Sequence, residues 1–207
     1  MSLHCPATLY VTRHGEAAFD GEDGTWTDAG GRLTEVGRGQ VVALAARLAH
    51  SRIAGVRTSG LQRAVESGEV AAAALGVGTA IVAGLEEWRV GEFAGRPSDD
   101  REPQAVFEAW LAGDLDARIP GAETGREVVA RYRSALEEIA DLHRGENVLI
   151  FSHGGVMALV LPRIADNLAD DQGRLQVLPN AVPAILEAGD DGWFMRSWPG
   201  REGHVAT

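Results

Sequence analysis

The sequence predicts an α/β fold: a three-layer αβα sandwich, with a mostly parallel sheet, helices on both faces and a helical insertion near residues 85–125. Three observations predict it. Short apolar runs rich in β-branched residues alternate with longer stretches of helical periodicity, the pattern of repeated strand–helix units. The run NVLIFS at 147–152 is apolar without alternation, as a strand covered on both faces must be. No linker or composition shift divides the 207 residues, so a single domain spans 1–207, long enough to bury a sizeable core.

Each element follows from local chemistry. ATLYVT at 7–12 reads as a short buried strand that runs directly into Arg13, His14 and Gly15. A glycine-rich, acidic loop follows. Thr34 then has the character of a helix N-cap, and Val41, Leu44, Ala45 and Leu48 recur at helical spacing, so this helix ends near His50. GVRTS at 55–59 is a second strand. An alanine-rich helix spans 61–75 and closes at Gly76. TAIVA at 79–83 is a third strand. The pattern then weakens: glycines and prolines break 85–125, with one helix around 104–111, so this stretch reads as an insertion over one edge of the sheet. A long helix is expected over 123–143, with Val129, Tyr132, Leu136 and Ile139 on one face. NVLIFS leads into a helix at 154–164. Two closing strands, 182–188 and 193–198, flank a turn at 189–192, and Pro183 sits at a strand start, where it is tolerated.

Composition narrows the function classes. The net charge is −11, from 19 Lys and Arg against 30 Asp and Glu, which argues against a general nucleic-acid binder and against docking on an anionic membrane. Cys5 is the single cysteine, so an intrachain disulfide is excluded. No run approaches the roughly 18–20 apolar residues of a membrane span. The first residues lack signal-peptide character, and a cytoplasmic location is the default expectation. His, Asp and Glu show no metal-ligand spacing, so neither a metal nor another cofactor is expected.

Two histidines occupy matching positions. His14 follows the strand ending at Thr12, and His153 follows the strand ending at Ser152. Ligands of open α/β sheets bind beyond the carboxyl ends of the strands, so both imidazoles should face one crevice. Gly15, Gly154 and Gly155 follow them and let backbone approach a ligand closely. Gly154 also opens a helix, whose N-terminus favours anions. Arg13 precedes His14, and Arg63 lies on the first turn after the GVRTS strand. A guanidinium is a planar fork of donors matched to phosphate oxygens. Taken singly, each residue is more often structural or merely solvated. Their joint placement outlines a compact phosphate pocket in an otherwise acidic chain.

These residues lie in segments that resemble one family in the right order: TRHGEA at 12–17; Leu33 and Thr34 with Gly37 and Gln40; SGLQRAVES at 59–67; LEEWRVGEFAG at 85–95; Glu123 and Thr124 with Arg131; and FSHGGV at 151–156. Together they resemble the histidine phosphatase superfamily, also called the phosphoglycerate mutase-like family. The resemblance implies that His14 is the nucleophile and that Arg13, Arg63 and His153 bind the transferring phosphoryl group, with Gly154 added as a phosphate-binding candidate for its place at the helix N-terminus. It makes Glu87 the general acid, chosen over Glu86 because it lies four residues before Gly91. The implied chemistry is metal-independent hydrolysis of a small phosphomonoester, or of phosphohistidine, through a phosphohistidine intermediate. A phosphoglycerate-type phosphomutase and a non-catalytic domain binding phosphorylated ligands are the alternatives. The implied partner is a small phosphorylated substrate, and the oligomeric state, a homodimer included, stays open.

The chain departs from the family pattern just after RHGE. Ala17, Phe19 and Asp20 stand where threonine, tryptophan and asparagine are frequent. Glu16 and Asp20 are therefore the candidates for substrate selection. The insertion is acidic as well: between 92 and 123 it holds eight carboxylates and three arginines, Arg96, Arg101 and Arg118. The simplest reading is a solvated face. Trp26, Trp88 and Trp110 read first as packing anchors. His50 and His143, near helix ends, are given no function.

Overall fold

The computed structural model of the chain describes residues 5–18, 24–28, 30–168 and 178–199. The described elements are β1 (Ala7–Arg13), β2 (Ala17–Ala18), β3 (Arg32–Leu33), α1 (Glu35–Leu48), β4 (Ile53–Thr58), α2 (Gln62–Leu75), β5 (Thr79–Ile81), α3 (Glu102–Leu111), α4 (Gly125–Leu142), β6 (Asn147–Ser152), α5 (Gly154–Ile164), β7 (Pro183–Gly189) and β8 (Gly192–Ser197). A six-stranded sheet has the order β5-β4-β6-β1-β7-β8. β5, β4, β6 and β1 pair in parallel, whereas β7 and β8 are antiparallel.

Three layers are visible in how β6 distributes its side chains. Val148 and Ile150 pack with α4 and α5, while Leu149 and Phe151 pack with α1 and α2. Both faces are therefore covered, which is why this strand carries no polar alternation. The α1 N-terminus is fixed by Thr34, whose hydroxyl accepts from the Gly37 N–H, and α2 closes at Gly76 in the left-handed region. Thr124 and Glu127 form a reciprocal capping box at the start of α4.

The structure corrects several expectations. The third strand stops at Ile81, just before a turn at Ala83 and Gly84 in which Gly84 takes a positive φ of 98°. The long helix starts at Gly125, after its Thr124 cap, and not at residue 123. Residues 85–125 do not merely drape an edge of the sheet. Leu85, Val90, Phe93, Phe107, Trp110 and Ile119 share one core with α4 and α5. The short ribbon β2–β3 and the 3-10 turn Gly91–Phe93 are too brief to leave a periodic signal. The acids of the insertion are largely paired: Arg96 with Asp100 and Glu102, Arg126 with Asp116, and Arg131 with Glu123. Asp20 lies outside the described residues.

Candidate active site

Sheet register places the site. β1 and β6 run parallel with Arg13 opposite Ser152, so the next residues on the two strands, His14 and His153, emerge side by side. Their ring centroids are 5.3 Å apart. β4 lies on the other flank of β6 with Thr58 opposite Phe151, which brings Ser59 to the same level. Three adjacent parallel strands thus deliver His14, His153 and Ser59 to one crevice beyond their carboxyl ends.

His14 is 5% exposed. Its Nδ1 lies 2.6 Å from the Gly15 carbonyl oxygen, an acceptor only, so Nδ1 carries the hydrogen. Nε2 is left as the lone-pair nitrogen and accepts from Arg63 Nε at 3.1 Å. Burial holds the imidazole well below its usual value, at about 3. The Gly15 carbonyl opposes the shift, and the charges of Arg63 and Arg13 add to it. The ring is therefore neutral near pH 7. Asn180 fastens this turn by donating to the His14 carbonyl at 2.8 Å, and Ser67 accepts from the Gly15 N–H at 3.1 Å. A Cβ on Gly15 would meet the Gly37 carbonyl at 2.5 Å, so the close pass of this loop over α1 requires glycine.

Arg63 is 7% exposed and also donates to the Gly30 carbonyl at 2.7 Å. Arg13 donates to the Leu178 carbonyl at 3.1 Å. Burial lowers both guanidinium groups, and the negative charge of Glu87 opposes that shift in each, so the three side chains sense one another.

Glu87 sits at the start of α5. One carboxyl oxygen accepts from the N–H groups of Val156 at 2.6 Å and Trp88 at 3.1 Å, and the other from Gly155 at 2.9 Å. The anion-favouring helix end predicted at Gly154 is thus occupied by this carboxyl group. Glu87 as a whole is half-buried. Burial nonetheless raises its pKa; its three backbone hydrogen bonds and Arg63 pull the other way. Glu86 faces elsewhere and accepts from the Gly84 and Gly60 N–H groups at 2.7 and 3.3 Å.

The remaining candidates divide. Gly154 packs against Arg13: a Cβ there would approach Arg13 Cδ at 3.3 Å. The Glu16 carboxylate accepts from the Thr34 hydroxyl at 2.8 Å, at the N-terminus of α1. Trp88 stacks on Phe107 with centroids 5.4 Å apart and lies 6.0 Å from both Trp26 and Trp110, forming an aromatic wall behind Glu87. His143 lies between Arg57 and Glu146, at 2.6 Å from each. Among the described residues no cluster of His, Cys, Asp and Glu could hold a metal, and no helix is long and apolar enough to cross a membrane.

Sequence reasoning left two contributors without a role. Ser59 lies 2.6 Å from His153 Nε2. Arg131 pairs with Glu123 and donates to the carbonyls of Gly84, Glu86 and Glu87 at 2.9, 2.8 and 3.1 Å, tying down the segment that carries Glu87. Ser59 was within reach of the reasoning that located both histidines, since it too directly follows a parallel strand. Arg131 was not, because its partners are backbone carbonyls from a loop without periodicity.

Known proteins share both sequence and architecture. The chain is 32% identical over 196 residues to an Arabidopsis thaliana protein named metal-independent phosphoserine phosphatase, covering 92% of this chain and 80% of that protein. It is 27% identical over 198 residues to phosphoglycerate mutase-like protein 4 of the same plant, covering 93% and 84%. The solved structure of Bacillus stearothermophilus YhfR superposes with a TM-score of 0.77 at 25% identity, covering 97% of this chain and all of that one. The family model described as histidine phosphatase superfamily (branch 1) matches residues 9–199, and the chain belongs to that superfamily.

Proposed function

We propose that the protein is a metal-independent phosphatase that hydrolyses a small phosphomonoester through a phosphohistidine at His14. The observation that carries this reading is the fixed tautomer of His14: Nδ1 tied to the Gly15 carbonyl, and Nε2 unprotonated beside Arg63. A buried, neutral imidazole with its lone pair directed at a guanidinium is arranged to attack an atom whose oxygens that guanidinium holds.

In the first step Nε2 of His14 bonds to phosphorus as the bond to the leaving oxygen breaks. Glu87 in its acid form, which burial favours, gives its proton to that oxygen. Arg13, Arg63 and His153 meet the charge on the equatorial oxygens. In the second step a water attacks phosphorus, its proton passes to the Glu87 carboxylate, and the nitrogen–phosphorus bond breaks. Phosphate leaves and both residues return to their starting states. Because the relatives include a phosphoserine phosphatase, amino-acid and hydroxy-acid phosphates head the substrate panel.

The test is phosphate release from p-nitrophenyl phosphate and a panel of metabolite phosphates, with a chelator present. We expect turnover that the chelator does not affect. His14→Ala should lower it by about 10⁴-fold or more, as expected when the group that forms the covalent intermediate is removed. Survival of activity in His14→Ala, or an absolute need for a divalent metal, refutes the mechanism. Phosphoryl exchange between two positions of one substrate, outpacing phosphate release, would identify a mutase instead.

A further inference from the structure

His153 is 1% exposed and Ser59 is fully buried. Ser59 Oγ accepts from the Leu61 N–H at 3.3 Å and lies 2.6 Å from His153 Nε2. A hydroxyl carries one hydrogen. Among the described residues, its only acceptor here is His153 Nε2. Either tautomer leaves one buried donor without a partner, but a hydrogen on Nε2 would orphan the Nδ1 lone pair as well as the hydroxyl hydrogen, one buried polar group more, at a cost of about 1–3 kcal/mol. The hydroxyl therefore donates to Nε2, and Nδ1 bears the ring hydrogen. That Nδ1 is buried and has no hydrogen-bond partner among the described residues. Nor is it needed to cap α5, because the Glu87 carboxyl takes the Gly155 and Val156 N–H groups. A buried donor without a partner in a neutral ring beside two guanidinium groups is suited to an oxyanion.

We propose that Ser59 is a positioning residue: it fixes His153 as the Nδ1–H tautomer, so that this ring donates a hydrogen bond to a phosphoryl oxygen without being charged. The two active-site imidazoles then have complementary nitrogens. His14 is held by a carbonyl and presents a lone pair, whereas His153 is held by a hydroxyl and presents an N–H. The same hydrogen on the facing nitrogen of His14 would block attack, and its absence from His153 would turn a lone pair toward the anion. This assignment rests on the phosphatase reading for its ligand, but not for its tautomer. Strong lowering of the His153 pKa by burial, with Arg63, His14 and Arg13 adding to it, agrees with a ring that stays neutral throughout.

The experiment is two-bond proton–nitrogen correlation NMR on the full chain with ¹⁵N-labelled histidine, the His153 signals being identified by their loss in His153→Gln. The unmutated chain should show protonated Nδ1 and unprotonated Nε2. Orthovanadate should perturb Nδ1 more than Nε2. Ser59→Ala should mix the tautomers and weaken vanadate inhibition roughly 10-fold to 100-fold, the range for losing one donor to a charged group. Ser59→Thr keeps the hydroxyl and should restore both. Protonated Nε2 in the unmutated chain overturns the proposal, whether or not Ser59→Ala folds. So does a Ser59→Ala chain with an unchanged tautomer. A chain that hydrolyses no ester yet shows the expected tautomer and vanadate response supports this assignment while refuting hydrolysis.

Discussion

At the scale of single residues, the chemistry depends on what holds each proton. Glu87 shows the competition most clearly. Three backbone N–H groups and Arg63 stabilise its anion, yet burial outweighs them and leaves the carboxyl with a raised pKa. Its acid form is the one that can protonate a leaving oxygen, so kcat for an alkyl phosphate should fall as pH rises through that raised value. Gly155 makes this balance testable. A Cβ there would meet Trp88 Nε1 at 2.5 Å and Glu87 Oε1 at 2.8 Å, so the carboxyl must give way. We expect Gly155→Ala to lower kcat for alkyl phosphates by about 100-fold, the scale set by displacing a catalytic group by about 1 Å. p-Nitrophenyl phosphate, whose leaving group needs little protonation, should be spared. Equal losses on both substrates would show that Glu87 gives up no proton to the leaving group.

At the scale of elements, the loop between β5 and α3 behaves as part of the site although it has no regular structure around Glu87. Its anchor lies on α4, where Arg131 bridges three loop carbonyls and binds both oxygens of Glu123. A planar fork with several donors suits this task, and a lysine would not reproduce it. Arg131→Ala should cost about 1.5–3 kcal/mol in a urea titration, the range for hydrogen bonds to a charged group. It should also lower kcat for alkyl phosphates with KM little changed, and Arg131→Lys should not rescue it. A stability loss with kcat intact would make the clamp purely structural. This region also marks the boundary of what the sequence conveys. His14, His153, Arg13 and Arg63 were legible because strand ends announce themselves by apolar runs, and the crevice position follows from topology. Glu87 was placed only by resemblance to a family pattern. Its seat on the α5 N–H groups depends on a tertiary contact between residues 68 and 69 apart, which no local pattern encodes. The same holds for the aromatic wall of Trp26, Trp88, Phe107 and Trp110, drawn from three separate segments.

At the scale of the whole molecule, the layered architecture was readable because its signals are periodic. NVLIFS and the capped helices state their own surroundings, whereas the acidic insertion hid its part in the core behind its surface charges. Burying two neutral histidines at the centre of such a fold has a consequence for stability. The His14 pKa drops from 6.5 to about 3 on folding, and that of His153 moves the same way. Above pH 6.5 neither the folded nor the unfolded chain protonates these rings. Between that value and about 3 the unfolded chain takes up protons that the folded chain refuses, so stability falls as pH falls. Glu87 has the opposite sign. Its raised pKa makes its contribution present below the unfolded value and lost as pH rises through the folded one, so it offsets part of the decline. Two rings against one carboxyl leave a net loss toward acid. Each proton refused amounts to about 1.4 kcal/mol per pH unit. Urea unfolding at a series of pH values should therefore show stability dropping from about pH 6 to pH 4. His14→Asn removes one of the two rings, and its curve should be shallower by about 1.4 kcal/mol per unit across that range. A parallel curve would mean that His14 takes up a proton in the folded state, and the neutral nucleophile proposed here would be lost with it.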